Sequence, residues 1–146
     1  MKKILGLSFL AITIFSSCKK DEVTPTCTLS ATSIIGTYKT TASTIQADAQ
    51  SPVVDDYATW AACEKDDLIT LSAGGVFTTS EGATSCTPPT DPFSANWALS
   101  GNALSITYMG IAIPAVTISD FTCNSFKVTS VDATTGEISV STMTRQ

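Results

Sequence analysis

From Cys63 to Cys86 the chain reads as a β-hairpin with a cysteine beyond each leg. Leu68-Ile69-Thr70-Leu71 and Val76-Phe77-Thr78-Thr79-Ser80 are short runs rich in apolar and β-branched residues, and Ser72-Ala73-Gly74-Gly75 between them is turn chemistry. The two cysteines lie at comparable distances from the turn, so both belong to the open end of one hairpin. A bond between them would join the legs and fix their register.

The same pattern recurs. Runs at 36–44, 66–71, 75–80, 93–99, 102–108, 111–119, 122–131 and 137–144 each read as a strand. Leu104, Ile106 and Tyr108 share one face of theirs, with Ala103, Ser105 and Thr107 on the other; Ile138, Val140 and Thr142 oppose Glu137, Ser139 and Ser141 in the same way. Pro114 inside an otherwise apolar strand implies a bulge or an edge. Ser100-Gly101-Asn102 and Asp132-Ala133-Thr134-Thr135-Gly136 are hairpin turns. Eight antiparallel strands joined by short turns make an up-and-down meander, and closure into a barrel removes its edges. The expected fold class is therefore all-β, an eight-stranded antiparallel β-barrel over residues 29–146.

Met1-Lys2-Lys3 and the apolar run of residues 4–15 fit a secretory signal and are too short for a transmembrane helix. Phe15-Ser16-Ser17-Cys18 resembles the lipobox of bacterial lipoproteins. That resemblance implies a signal peptide at 1–17, cleavage before Cys18 and acylation of Cys18, which anchors the protein without spanning the membrane. Lys19-Lys20-Asp21-Glu22 resembles the export signal of surface-exposed lipoproteins, and residues 18–28 form the tether. The expected location is the outer membrane, lipid-anchored and facing outward, with membrane lipid as the partner of Cys18.

The full chain has 146 residues and a formal net charge of −5; loss of residues 1–17 removes Lys2 and Lys3, and six bases against thirteen acids give −7. No basic patch is present for nucleic acid. Histidine is absent, which excludes histidine metal ligands, histidine general bases and any Ser/His/Asp triad. Besides Cys18 there are four cysteines, Cys27, Cys63, Cys86 and Cys123, and in an exported chain they point to disulfides. Without a C-x-x-C knuckle they do not suggest zinc.

Ile34-Ile35-Gly36-Thr37-Tyr38, Cys63-Glu64-Lys65-Asp66-Asp67, Gly75-Val76-Phe77, Cys86 and the run 96–104 resemble the bacterial lipocalin-like domain of short lipoproteins. The resemblance covers roughly residues 29–144. Lipocalins carry Gly-x-Trp on the first strand, packed near an arginine after the last. It implies that Tyr38 stands at the tryptophan position and pairs with Arg145. It also implies a small hydrophobic ligand in the barrel, a monomer, and neither cofactor nor catalysis.

Strand parity in such a barrel orients it. Cys63 and Cys86 fall at the open end, Cys27 and Cys123 at the closed end, so the pairs Cys63–Cys86 and Cys27–Cys123 are expected out of three possible pairings. The connections 45–65 and 81–91 are longest and share the open end, where the first, with Asp55, Asp56, Tyr57 and Trp60, could act as a lid. Glu64, Asp66 and Asp67 lack the spaced oxygens of a calcium loop and read as a solvated start to a strand. Asp55 and Asp56 are adjacent, and no partner for a catalytic dyad is identifiable.

Candidates for the barrel interior and ligand contact are Trp97, Leu99, Ile106, Tyr108, Phe77 and Ile69. Two functions remain open: a binding module for a small hydrophobic ligand, or a filled barrel whose loops bind a protein or glycan partner. A void of several hundred Å³ lined by Trp97 and Tyr108 favours the first; exposed Trp60 and Tyr57 beside a filled barrel favour the second.

Overall fold

Alternation decides which face of each strand meets the core. In the run 93–100, Ala95 and Trp97 are buried while Ser94, Asn96 and Ala98 are exposed. A computed structural model of the protein describes residues 27–89 and 92–146. The expected signal peptide, the lipidation site Cys18 and the charged run 19–22 lie outside these residues.

The strands are β1 (Gly36–Gln46), β2 (Val54–Asp55), β3 (Leu68–Ser72), β4 (Val76–Ser80), β5 (Phe93–Ser100), β6 (Ala103–Tyr108), β7 (Ile111–Ser119), β8 (Ser125–Val131) and β9 (Ile138–Arg145). From β3 onward each pairs antiparallel with the next, β1 pairs with β3, and β9 returns to β1 from Tyr38–Arg145 to Gln46–Ile138. Eight strands thus close into an antiparallel barrel, with β2 as a two-residue addition on the upper edge of β1. Tyr57–Thr59 form one 3-10 turn, and no helix among the described residues is long and apolar enough to cross a membrane.

The β3–β4 hairpin forms around Ala73, Gly74 and Gly75, with Ser72 opposite Val76. Gly75 has φ +80°, and a Cβ there would press on the Trp97 carbonyl, so this turn needs glycine for both conformation and space. The strand expected over 122–131 begins only at Ser125. The Thr122 hydroxyl accepts hydrogen bonds from the amides of Asn124 and Ser125, which holds residues 122–124 in a turn.

Two irregularities shape the wall. β1 shifts register between Thr40 and Ala42, so the inward set passes from Tyr38 and Thr40 to buried Ser43. Pro114 sits at a bulge: Leu104 faces Val116 and Ile106 faces Ile113, leaving Pro114 and Ala115 opposite Ser105.

Both expected disulfides are present, Cys27–Cys123 at the closed end and Cys63–Cys86 at the open end. The closed end is filled by Ile34, Tyr38, Trp97, Ile118 and Phe126, all buried. The Trp97 indole N–H donates to the Ser72 carbonyl at 3.2 Å, and the Tyr38 ring meets Phe126 edge-on at 4.8 Å.

Arg145 ties this end together. Its Nη1 donates to the Ile35 carbonyl (2.7 Å), Nη2 to the Ser33 carbonyl (2.9 Å) and to Tyr38 Oη (2.8 Å), and Nε to the Cys123 carbonyl (3.0 Å). Its guanidinium carbon lies 5.0 Å from the Tyr38 ring centre, within cation–π range. Tyr38 Oη in turn donates to the Ile34 carbonyl at 2.8 Å. A Cβ on Gly36 would overlap Arg145 Nη1, which gives the glycine two residues before Tyr38 its physical reason.

Candidate functional site

Above this floor the barrel is not filled. A cavity of about 320 Å³ lies between the walls. Ile69 and Leu71 of β3, Phe77 of β4, Leu104 and Ile106 of β6 and Val128 of β8 line it. Its polar contribution comes from Thr40 and Ser141, and both hydroxyls are engaged: Thr40 Oγ1 donates to the Met143 sulfur at 3.6 Å, and Ser141 Oγ donates to Ser43 Oγ at 3.3 Å. No Lys or Arg lines it.

Trp60 closes the open end over this space. The β1–β3 connection folds back because the Asp56 amide donates to the Ser43 carbonyl at 3.0 Å. Asp56 Oδ2 then accepts from the Trp60 indole N–H at 2.9 Å and from Ser43 Oγ at 3.4 Å. The Tyr57 and Trp60 rings are 5.3 Å apart, and Lys65 Nζ lies 5.1 Å from the Tyr57 ring centre. Both aromatic residues are half-buried. Trp60 borders the cavity on one side and a cleft of about 420 Å³ on the other, where Glu64 and Asp67 stand.

Of the interior candidates, Ile69, Phe77 and Ile106 line the cavity. Trp97 and Leu99 point inward but lie in the packing below it: Trp97 is buried at the β3–β4 turn, and Leu99 packs against the core. Tyr108 keeps its inward parity at the rim, 41% exposed, 4.7 Å from Phe93. Trp60, Thr40, Ser141 and Met143 were not among the interior candidates. Asp55 caps the Ala58 amide at 3.1 Å and Asp56 holds Trp60, so the two carboxylates support the lid rather than face one another.

Glu64, Asp66, Asp67 and Glu81 gather beside the Cys63–Cys86 bridge. Asp66 Oδ2 accepts from the Thr84 amide at 2.9 Å, whereas Asp66 Oδ1 and Asp67 Oδ1 are buried without a hydrogen-bond partner. Among the described residues no three acidic or cysteine side chains are arranged to hold a metal ion. Desolvation pushes the Asp67 carboxyl above the usual carboxylate range; a Gly82 amide opposes this, and Glu81, Asp66 and Glu64 reinforce it. The folded state therefore binds the Asp67 proton more readily than the unfolded chain, and this carboxyl opposes folding once ionised. Asp67→Asn is expected to raise the thermal midpoint at pH 7, with a gain that shrinks as pH falls toward 4. Thermal melts of both proteins across that window check this; an equal difference at all pH values would contradict it.

The family model described as a lipocalin-like domain matches residues 34–144. No curated protein and no solved structure matches the chain. The matched span runs from the buried Ile34 beneath the barrel to the last strand, taking in the closed wall, the cavity and the Trp60 lid. The chain thus belongs to the family of lipocalin-like domains.

Proposed function

We propose that the protein is a non-catalytic carrier that holds one small, uncharged hydrophobic molecule inside the barrel and is tethered to the outer membrane through acylated Cys18. The cavity carries this reading. Its volume, about 320 Å³, lies at the lower end of the ~300–1,000 Å³ range of ligand sites and is about twice an engineered ~150 Å³ cavity that takes benzene. Aliphatic and aromatic side chains dominate its lining, and its hydroxyls are already engaged, so shape and apolar contact would do most of the binding. With no cation to pair it and acids at the mouth, an anionic ligand would be buried unpaired. The partner-binding alternative rested on exposed Trp60 and Tyr57 above a filled barrel; both rings are half-buried and the barrel is hollow.

Native mass spectrometry of the protein purified from its own membranes, before and after organic extraction, tests the carrier reading. A discrete extra mass that extraction removes is the expected result; a clean apo mass in every preparation counts against it. Ile106→Trp would fill the cavity and is expected to weaken binding of that molecule at least about a hundredfold, with thermal unfolding still cooperative. Retained affinity would place the ligand elsewhere.

A further inference from the structure

We infer that the cavity is loaded through a notch in the barrel wall between β7 and β8, and not from beneath the Trp60 lid. The inference rests on the ligand-binding reading above and adds the route.

β7 and β8 pair only from Thr117 to Ser119, opposite Lys127 to Thr129. Above that ladder the strands part around a cleft of about 340 Å³, which reaches Ser130, Val131 and the start of the β8–β9 turn. The cause is local. Pro114 has no amide hydrogen to donate, and the bulge at Pro114 and Ala115 bends β7 away from its neighbour. β1 meets the same problem where it parts from β3 and covers its edge with β2; β7 has no such cover among the described residues.

Val116 is common to the two spaces on this side. It lines the central cavity and the notch alike, so the two spaces are one side chain apart. The approach is mixed: Ile113, 42% exposed, and Val131, 58%, stand in the notch with Asp132 and Glu137, and the adjoining β6–β7 tip exposes Met109 (82%) and Ile111 (71%). Met109 also has φ +50°, a conformation that Asn, Asp or Gly takes more readily. An exposed methionine in that position keeps the tip of the β6–β7 hairpin apolar at a backbone cost.

The lid is a poorer door. Trp60 is held through Asp56 to Ser43, it packs on Tyr57, and its loop is bridged by Cys63–Cys86. Two carboxylates stand at each mouth, Glu64 and Asp67 beyond the lid and Asp132 and Glu137 at the notch, so it is the fixing of Trp60, not charge, that separates the routes.

Ile113 borders the notch and not the cavity, so its size should set the rate of passage without setting affinity. The test uses the mature chain with Cys18→Ser, which needs no detergent, and the neutral fluorophore N-phenyl-1-naphthylamine in stopped flow. Ile113→Trp is expected to slow association and dissociation together by about tenfold or more, and Ile113→Ala to speed both, with Kd within about twofold of the parent. Rates indifferent to both Ile113 variants, or accelerated by Trp60→Ala alone, would overturn the side route while leaving the carrier intact. Absence of any saturable fluorescence rise in the parent chain would overturn the ligand-binding reading, and the notch with it.

Discussion

Arg145→Ala is expected to lower the unfolding free energy by about 3–5 kcal/mol, the largest effect of any single side-chain truncation outside the disulfides. The guanidinium serves four acceptors: the Ser33, Ile35 and Cys123 carbonyls and Tyr38 Oη. Its removal leaves these groups against the fully buried Ile34 and the nearly buried Tyr38, where water can restore only part of what is lost. Lysine should rescue little, since one ammonium cannot reproduce a planar fork directed at four oxygens. Tyr38→Phe removes only the hydroxyl and should cost about 1–2 kcal/mol, and the double variant should lose less than the two losses together because the residues share a bond. Urea unfolding of the four proteins decides it; strict additivity would mean that the 2.8 Å contact contributes nothing. A second readout comes from alkali. Burial pushes the Tyr38 phenol above its ordinary value of about 10, with Arg145 opposing, so the folded state keeps a proton that the unfolded chain has released. Stability should fall as pH rises past 10, and Tyr38→Phe should flatten that slope.

Loss of the Cys27–Cys123 bond should be at least as severe. The cysteines are 96 residues apart, and loop-closure arithmetic assigns about 4.7 kcal/mol to such a bridge. Cys63 and Cys86 are 23 residues apart, and the same arithmetic gives about 3.4 kcal/mol. A domain of this size has about 5–15 kcal/mol in all, so Cys27→Ala/Cys123→Ala should leave a protein close to its unfolding threshold at 37 °C. The urea midpoint is expected to drop further for this pair than for Cys63→Ala/Cys86→Ala. The reverse order would show that the hairpin bridge, and with it the lid, governs the fold.

Strand order and the two pairings were legible because the relevant signals are local. Pattern breaks at glycine, proline and asparagine delimit each strand, and parity alone then assigns the cysteines to opposite ends. The strand over Ile111–Ser119 was read to its last residue, and Pro114 announced its bulge. The shift at Thr40–Ala42 gave no warning: Thr-Thr-Ala-Ser-Thr is equally polar on both faces, so alternation carries no contrast through it. Depth along the barrel axis was also invisible. Trp97, Leu99, Ile106 and Tyr108 share inward parity, yet one is in the floor, one packs beside it, one is at the cavity and one is at the rim. Trp60 entered the site through a loop, where position depends on a long-range bond from Asp56 to Ser43 that no periodicity encodes.

The bridge from Cys27 to Cys123 has a mechanical consequence. Tension arriving along the chain ahead of Cys27 divides there: one branch continues into the segment that leads to β1, and the other crosses the sulfur bond into the corner between β7 and β8. Such a pull therefore acts on two points of the base, the approach to β1 and the corner between β7 and β8, with β8 and β9 between them. Peeling β1 from β9 like a zipper would require the second point to yield as well, so a pull applied ahead of Cys27 loads the ladders in shear across the base.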